Sequence, residues 1–131
     1  MTEINQVCRV VSRKLSPYGR IIRIKDSVAI GIPDYYYLIK GVSGWIECKL
    51  LPPSGSCPTH FTKEQLLWGE AEAEKGGRWF LLGKRGPEWL LFDAVGARCF
   101  HNGEKAWARL SQIGPFPTRN IIKTLTGPIQ T

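Results

Sequence analysis

Two acidic residues and a lysine near the middle of the chain have the types and the spacing of a metal site. Asp34 opens one apolar run, and Glu47 and Lys49 lie in a second apolar run beyond a glycine-containing turn. Side chains alternate faces along a strand, so Glu47 and Lys49 share one face, while Cys48 belongs to the opposite, apolar face. Two carboxylates whose metal shell is completed by water suit Mg²⁺. The spacing therefore predicts a divalent-cation site on a β-hairpin, with an ammonium group beside it.

Each of these residues also has a simpler explanation. Pro33-Asp34 is a common turn sequence, so Asp34 taken alone predicts only a turn. Glu47 and Lys49, however, are unfavourable on a strand with apolar flanks unless they have a use. Taken together, the three residues favour the metal site.

The elements that must position this site follow from the periodicity of the chain. Apolar residues recur at steps of three and four from Glu3 to Leu15, which predicts an amphipathic helix. Thr62 and Gln65 have the spacing of a capping box, which predicts a second helix ending near Lys75. Runs typical of strands occupy residues 20–25, 28–39, 44–51, 78–82 and 89–92. The order helix, three strands, helix, two strands predicts an α/β or mixed α+β layer with the hairpin near its centre.

The last third of the chain, residues 95–131, is less regular. A short helix is predicted over residues 104–113, and an edge strand over residues 119–123. This segment is apolar and poor in acids, so it must be buried either on the core or against a second subunit. We expect a homodimer in which it supplies part of the interface.

Composition limits the choice of partner. The 131 residues suffice for one domain, and a net charge of +7 with an isoelectric point near 9.5 predicts a polyanionic partner. Neither a basic amphipathic helix nor an apolar run long enough to span a bilayer is present in the sequence, and the first residues do not resemble a secretory signal. The chain is therefore expected to be cytoplasmic and to have no membrane partner.

The four cysteines are widely spaced, and reduced thiols are the expected state. Cys57 and His60, together with Cys99 and His101, would supply four zinc ligands if the fold brought them together. Unrelated cysteines and surface histidines are the favoured explanation of this pattern.

The pattern of Asp34 followed by Glu47-x-Lys49 resembles that of the PD-(D/E)xK nuclease superfamily, whose motif lies on a bent hairpin. Gly31 before Pro33-Asp34, the aromatic run, the glycine turn and Trp-Ile-Glu-x-Lys most resemble the small phage nucleases of the VRR-NUC type. They are also similar to archaeal-type Holliday junction resolvases. The resemblance covers about residues 3–94 of a single nuclease domain spanning residues 1–131, with residues 95–131 as an extension.

This resemblance implies a restriction-endonuclease-like core and a metal-dependent DNA endonuclease. The substrate would be a Holliday junction, a flap or other branched DNA, and no organic cofactor is implied. Asp34 and Glu47, with the backbone carbonyl of Cys48, would hold one or two Mg²⁺ ions, for which Mn²⁺ would substitute. Lys49 would position the attacking water or stabilise the phosphate. If the protein is phage-encoded, it would act in the host cytoplasm.

Other residues have secondary roles in this interpretation. Gln65 would lie near the active site as well as capping its helix. Glu3 resembles an acid of the first helix that sometimes completes the metal shell, although a solvated acid near a helix N-terminus is the favoured explanation. Basic side chains expected to contact phosphates are Arg13, Lys14, Arg20, Arg23 and Lys63.

Two other classes of function are compatible with the composition. One is a nucleic-acid-binding module that uses a nuclease fold without catalysis, although acidic residues facing phosphates argue against it. The other is a structural or inhibitory protein whose interaction surface contains Trp68, Trp79, Trp89 and Trp107.

Overall fold

The computed structural model of the chain describes residues 3–24 and 30–128, with side chains described from residue 6 onward. Within these residues the helices are α1 (Glu3–Leu15), α2 (Lys63–Glu74), α3 (Ala94–His101) and α4 (Thr118–Thr126). The strands are β1 (Gly19–Arg23), β2 (Tyr35–Ile39), β3 (Val42–Leu50), β4 (Trp79–Arg85), β5 (Glu88–Phe92) and β6 (Leu110–Ile113).

The strands form one mixed sheet in the order β1-β2-β3-β4-β5-β6. Neighbours are antiparallel except β3 and β4, which are parallel and are connected through α2. Lys40 and Gly41 form the two-residue turn between β2 and β3, with φ of 53° and 75°. Positive φ at both positions matches the twist of the flanking strands. The predicted mixed α+β layer, with the hairpin near its centre, is confirmed.

Helices cover both faces of this sheet. On one face, α1 and α4 contact β3 and enclose a core that includes Ile46 and Cys48. On the other face, α2 and α3 contact β4 and enclose a core that includes Leu81. Gly69 of α2 lies so close to Trp79 that a Cβ atom there would come within 2.3 Å of the indole ring. A glycine at this position therefore allows α2 to lie directly on β4.

Of the strand predicted over residues 28–39, residues 30–34 do not form a strand and β2 begins only at Tyr35, whereas residues 28 and 29 lie outside the described residues. Gly31 has a φ of 86°, and Pro33 has no amide hydrogen to donate to a neighbouring strand. A Cβ atom on Gly31 would also lie 2.6 Å from the carbonyl oxygen of Glu64. The segment before Asp34 is thus a tight loop against the start of α2, whereas β1, β3, β4 and β5 agree with their predictions to within a few residues.

The helix predicted over residues 104–113 is wrong. Its last residues form β6, which pairs with β5, whereas residues 105–108 belong to neither a helix nor a strand. The helix α3 was not predicted. Asp93 caps α3 by accepting a hydrogen bond from the amide of Gly96 at 2.8 Å. This aspartate is the local signal that the sequence analysis missed.

The edge strand predicted over residues 119–123 is also wrong, because these residues lie in α4. The adjacent isoleucines Ile121 and Ile122 favour a strand locally. Burial of these two residues with Leu125 on one helical face outweighs that preference. The apolar residues of the extension thus pack on the core of their own chain, which removes most of the apolar surface from which the dimer was inferred.

The tryptophan-rich surface is largely absent. Trp79 and Trp89 are 2% and 3% exposed, and Trp68 packs edge-on against Trp45. Of the four tryptophans proposed for that surface, Trp107 is the one with a largely exposed side chain, at 72%. None of the helices in the described part of the chain is long and apolar enough to cross a membrane.

Candidate active site

Glu47 and Lys49 lie side by side on the face of β3 that α2 covers. Glu47 is opposite Leu81 of β4, which belongs to the core on that face. Because β3 is a central strand, both side chains are shielded: Glu47 is 2% exposed and Lys49 8%. The alternation predicted for this strand is confirmed, and its charged face proves as buried as its apolar one.

Lys49 is held by two contacts. Its Nζ lies 3.3 Å from Oε2 of Glu47 and donates a hydrogen bond of 2.9 Å to the carbonyl oxygen of His60. The other carboxylate oxygen of Glu47, Oε1, is buried and has no hydrogen-bond partner among the described residues. An unsatisfied buried oxygen costs about 1–3 kcal/mol. The site therefore has an oxygen available for a ligand.

Asp34 lies at the bend that precedes β2 and is held by the hairpin itself. Its Oδ2 accepts a hydrogen bond of 2.8 Å from the amide of Cys48, and its Oδ1 lies 3.2 Å from Nη1 of Arg23. The side chain of Asp34 retains 24% exposure, so it forms the solvent-facing edge of the site. The hairpin thus brings together the three residues that the sequence analysis selected.

The electrostatics of this group favour a bound cation. Burial, and after it the negative charge of Asp34, raise the pKa of Glu47 from 4.5 to about 9, and the ammonium of Lys49 only partly opposes them. Without a cation, Glu47 is therefore protonated at neutral pH. Two neighbouring carboxyl groups, one with a buried oxygen that lacks a partner, fit a hard divalent cation.

Gln65 forms the predicted capping box. Its Oε1 accepts a hydrogen bond of 2.9 Å from the amide of Thr62, and its own amide donates to Thr62 Oγ1 at 3.2 Å. The capping box is confirmed, and it uses the side-chain oxygen of Gln65. The role of Gln65 at the active site stays a prediction, and its side-chain amide nitrogen is the group that would serve that role.

The predicted basic residues lie at different distances from the motif. Arg23 is in the site itself, and Lys63 is exposed at the first turn of α2. Lys14 lies six residues beyond Cys8 on α1, or about 9 Å along the helix. On β1, Arg20 is opposite Leu38 of β2, which lies four residues after Asp34, or about 13 Å along the strand. Arg13, Lys14 and Arg20 are exposed, and the side chain of Glu3 lies outside the part of the chain that the structure describes.

The two cysteines and two histidines considered as zinc ligands are not brought together, which agrees with the favoured explanation that they are unrelated. Among the described residues, no three of Cys57, His60, Cys99 and His101 have ligand atoms close enough for one ion. The group that does meet this condition is Cys8, Asp34 and Cys48.

Cys8 is a neighbour of the motif that no motif spacing in the sequence indicates. Arg23 donates a hydrogen bond of 3.1 Å to its sulfur, and Tyr35 donates one of 2.8 Å to its carbonyl oxygen. A hydrogen bond with Cys48, aided by the charge of Arg23, lowers the pKa of Cys8 from 9.0 to about 7. The inward face of α1, opposite the apolar face of β3, was the available signal.

The fold is similar to that of Hjc, a Holliday junction resolvase from the archaeal hyperthermophile Archaeoglobus fulgidus, whose structure was solved at 1.6 Å resolution. The TM-score is 0.54 and the identity 17%, over 70% of this chain and 77% of that chain. At this identity the likeness shows a shared fold, which confirms the predicted restriction-endonuclease-like core. No protein-family model and no curated protein matches the sequence.

Proposed function

We propose that this chain is a metal-dependent DNA endonuclease of the PD-(D/E)xK superfamily that cleaves branched DNA. The observation that supports this most directly is the buried Glu47, which has an unpartnered oxygen and lies beside Asp34 and Lys49 on one hairpin. A buried carboxyl group of this kind is costly unless a ligand uses it. The fold shared with a Holliday junction resolvase agrees with the proposal.

Asp34 and Glu47, together with the backbone carbonyl of Cys48, would hold one or two Mg²⁺ or Mn²⁺ ions. The bound metal would acidify an attacking water and neutralise charge on the phosphate. Glu3 remains a candidate for an additional ligand. Asp34 is oriented for this task by the amide of Cys48, which leaves lone pairs on both carboxylate oxygens.

Lys49 would donate a hydrogen bond to the attacking water or to a phosphate oxygen. The contacts of its ammonium group with Glu47 and with the carbonyl of His60 fix its position, so it needs little reorganisation when charge develops on the phosphate. The amide nitrogen of Gln65 would assist from the start of α2, on the same face of the sheet.

DNA would bind across the edge at which Asp34 is exposed. Arg23 lies at that edge, and Lys63 is exposed at the start of α2, whose first turn contacts the loop at Gly31. Arg13, Lys14 and Arg20 extend the positive surface along α1 and β1. With a net charge of +7, the chain would attract the phosphate backbone in a manner that depends on salt. Branched DNA is the preferred substrate in this proposal because the similar structure is that of a Holliday junction resolvase.

We further propose that the protein is of the phage VRR-NUC type, that it acts in the cytoplasm, and that its active form is a homodimer. One site cleaves one strand, and symmetric cleavage of two strands of a junction needs a two-fold pair of sites. The extension packs on its own core, and its large apolar side chains that stay mostly exposed are Val95, Trp107 and Ile113, at 74%, 72% and 72%.

A cleavage panel tests the proposed activity. Synthetic junction, flap, splayed-arm, duplex and single-stranded substrates are incubated with Mg²⁺, with Mn²⁺ or with EDTA. We expect cleavage with either metal, highest on a branched substrate, and none in EDTA. The matched control is Glu74→Gln, which replaces an exposed acid on α2, the helix that covers the face of β3 carrying Glu47. This variant should cleave like the wild type.

Other outcomes would point to other functions. Retardation of DNA that is insensitive to EDTA, without cleavage of any substrate, would support the non-catalytic binding module. Neither cleavage nor retardation would support the protein-interaction hypothesis.

A further inference from the structure

Two cysteines and an aspartate meet behind the hairpin. Cys8 lies on α1, Cys48 on β3 and Asp34 before β2, so three separate elements supply them. One ligand atom of each, two thiol sulfurs and a carboxylate oxygen, lies within 4.8 Å of the others. Both cysteines are buried, at 6% and 1% exposure.

The spacing of these atoms is close to that of a tetrahedral metal site. Two sulfurs bound to one zinc ion at about 2.3 Å lie about 3.8 Å apart. Since the two sulfurs lie within 4.8 Å of each other, they would approach by at most about 1 Å (4.8 Å less 3.8 Å) to bind such an ion. Two sulfurs and one oxygen are ligands for Zn²⁺ and other thiophilic cations, whereas Mg²⁺ prefers oxygen alone.

We propose that Cys8, Cys48 and Asp34 form a second metal site, which binds Zn²⁺ with water as the fourth ligand and competes with the magnesium site for Asp34. The binding part of this proposal is independent of the function proposed above, whereas the competition rests on it.

Arg23 supports the site from outside the ligand set. Its Nη1 lies 3.1 Å from the sulfur of Cys8 and 3.2 Å from Oδ1 of Asp34. Two thiolates, one carboxylate and Zn²⁺ carry a net charge of −1, which the guanidinium balances. A donor to a metal-bound sulfur is the kind of supporting contact that orients ligands.

Zinc at this site would act on catalysis through Asp34. This aspartate lies within 4.8 Å of the two sulfurs, and its negative charge also raises the pKa of Glu47. An aspartate bound to zinc would no longer be available to hold Mg²⁺ with Glu47. Zinc is therefore expected to inhibit cleavage and, by joining three elements, to stabilise the fold.

Cobalt provides the test of binding, since Co²⁺ bound to thiolates absorbs strongly in the near ultraviolet. The full chain carries four cysteines. The variant Cys57→Ser with Cys99→Ser removes the two thiols outside the cluster and changes no buried residue. In a buffer containing a phosphine reductant and no other metal, we expect both this variant and the wild type to bind one Co²⁺ per chain with thiolate absorption, and Zn²⁺ to displace it.

Two further variants complete the test. Cys8→Ser should abolish the thiolate band and the rise in melting temperature caused by Zn²⁺, whereas Glu47→Gln should retain both. If the variant Cys57→Ser with Cys99→Ser, whose cysteines are Cys8 and Cys48, shows no thiolate band with Co²⁺, the proposal is overturned. This result decides the matter even if Cys8→Ser fails to fold.

Cleavage assays test the competition separately. We expect stoichiometric Zn²⁺ to reduce Mg²⁺-dependent cleavage at least tenfold in the wild type but not in Cys57→Ser/Cys99→Ser/Cys8→Ser. Equal inhibition of both proteins would reject the competition. If the wild type cleaves no substrate at all, the proposed function fails, while the cobalt spectrum still decides whether the site binds metal.

Discussion

The ammonium group of Lys49 lies 3.3 Å from one carboxylate oxygen of Glu47, and both side chains are more than nine-tenths buried. A buried ammonium group beside a carboxyl group is costly unless the remaining polar atoms of both are satisfied. Lys49 meets this condition through the carbonyl of His60, whereas Oε1 of Glu47 does not. This imbalance underlies the first two predictions.

Glu47→Gln should abolish metal-dependent cleavage while preserving the fold. The amide resembles the protonated acid that burial favours, so it can occupy the same space, but it is a poor metal ligand. We expect cleavage to fall by at least about 100-fold. Asp34→Ala should have a similar effect on cleavage, and DNA binding in EDTA should persist or tighten because a negative charge is removed. Full activity in either variant would rule out the proposed site.

Without metal, stability should fall as the pH rises. The pKa of Glu47 is about 9 in the folded protein, against 4.5 for the ordinary side chain. Between pH 4.5 and about 9, the folded state keeps a proton on Glu47 that the unfolded state has released. The contribution of Glu47 to the free energy of unfolding is therefore complete below pH 4.5. It falls by up to about 1.4 kcal/mol per pH unit as the pH rises toward 9.

Urea unfolding in EDTA between about pH 5 and 9 measures this slope. The Glu47→Gln variant serves as the control, because it lacks the titrating group and should show a flatter profile. Identical slopes in the two proteins would show that Glu47 ionises normally.

DNA affinity should decrease steeply with salt. If about six phosphates are neutralised, log K against log salt should have a slope near −5, from about −0.9 for each duplex phosphate. Replacing Lys63 or Lys14 with glutamine should each reduce the slope by about 0.9. Fluorescence anisotropy over a salt series provides the measurement, and a flat dependence would favour a protein partner.

Arg78 should be important for the stability of the C-terminal helix. Its guanidinium donates hydrogen bonds to the last carbonyls of α4 and just beyond it: Leu125 at 2.8 Å, Thr124 at 3.1 Å and Gly127 at 2.6 Å. Arg78→Met should lower the free energy of unfolding by about 2 kcal/mol, because carbonyls lose charged donors. Lys75→Met, at an exposed position nearby, is the control and should change it by less than about 0.5 kcal/mol.

Sedimentation equilibrium across a micromolar range tests the homodimer. We expect a mass near twice 14.7 kDa at the upper concentrations. Ile113→Asp on the exposed edge strand β6 should shift the equilibrium toward the monomer if the extension supplies the interface. A monomer mass throughout would leave the chain an enzyme that nicks one strand.

The parts of this protein that the sequence alone determined are those with local signals. The alternation of β3 predicted the shared face of Glu47 and Lys49, and the spacing of Thr62 and Gln65 predicted the capping box. The three- and four-residue periodicity of α1 predicted its helical limits, Glu3–Leu15. Each of these features depends on neighbours within one strand or one or two helical turns.

Only the tertiary structure decided the rest, because the deciding contacts join distant segments. Burial against the core made residues 118–126 a helix in spite of the preference of Ile121 and Ile122 for a strand. Likewise, the hydrogen bond from Arg23 to Cys8 spans fifteen positions, and that from Arg78 to Leu125 spans forty-seven. No local pattern encodes such pairs, since they exist only when separate elements pack on the same sheet and exclude water between them.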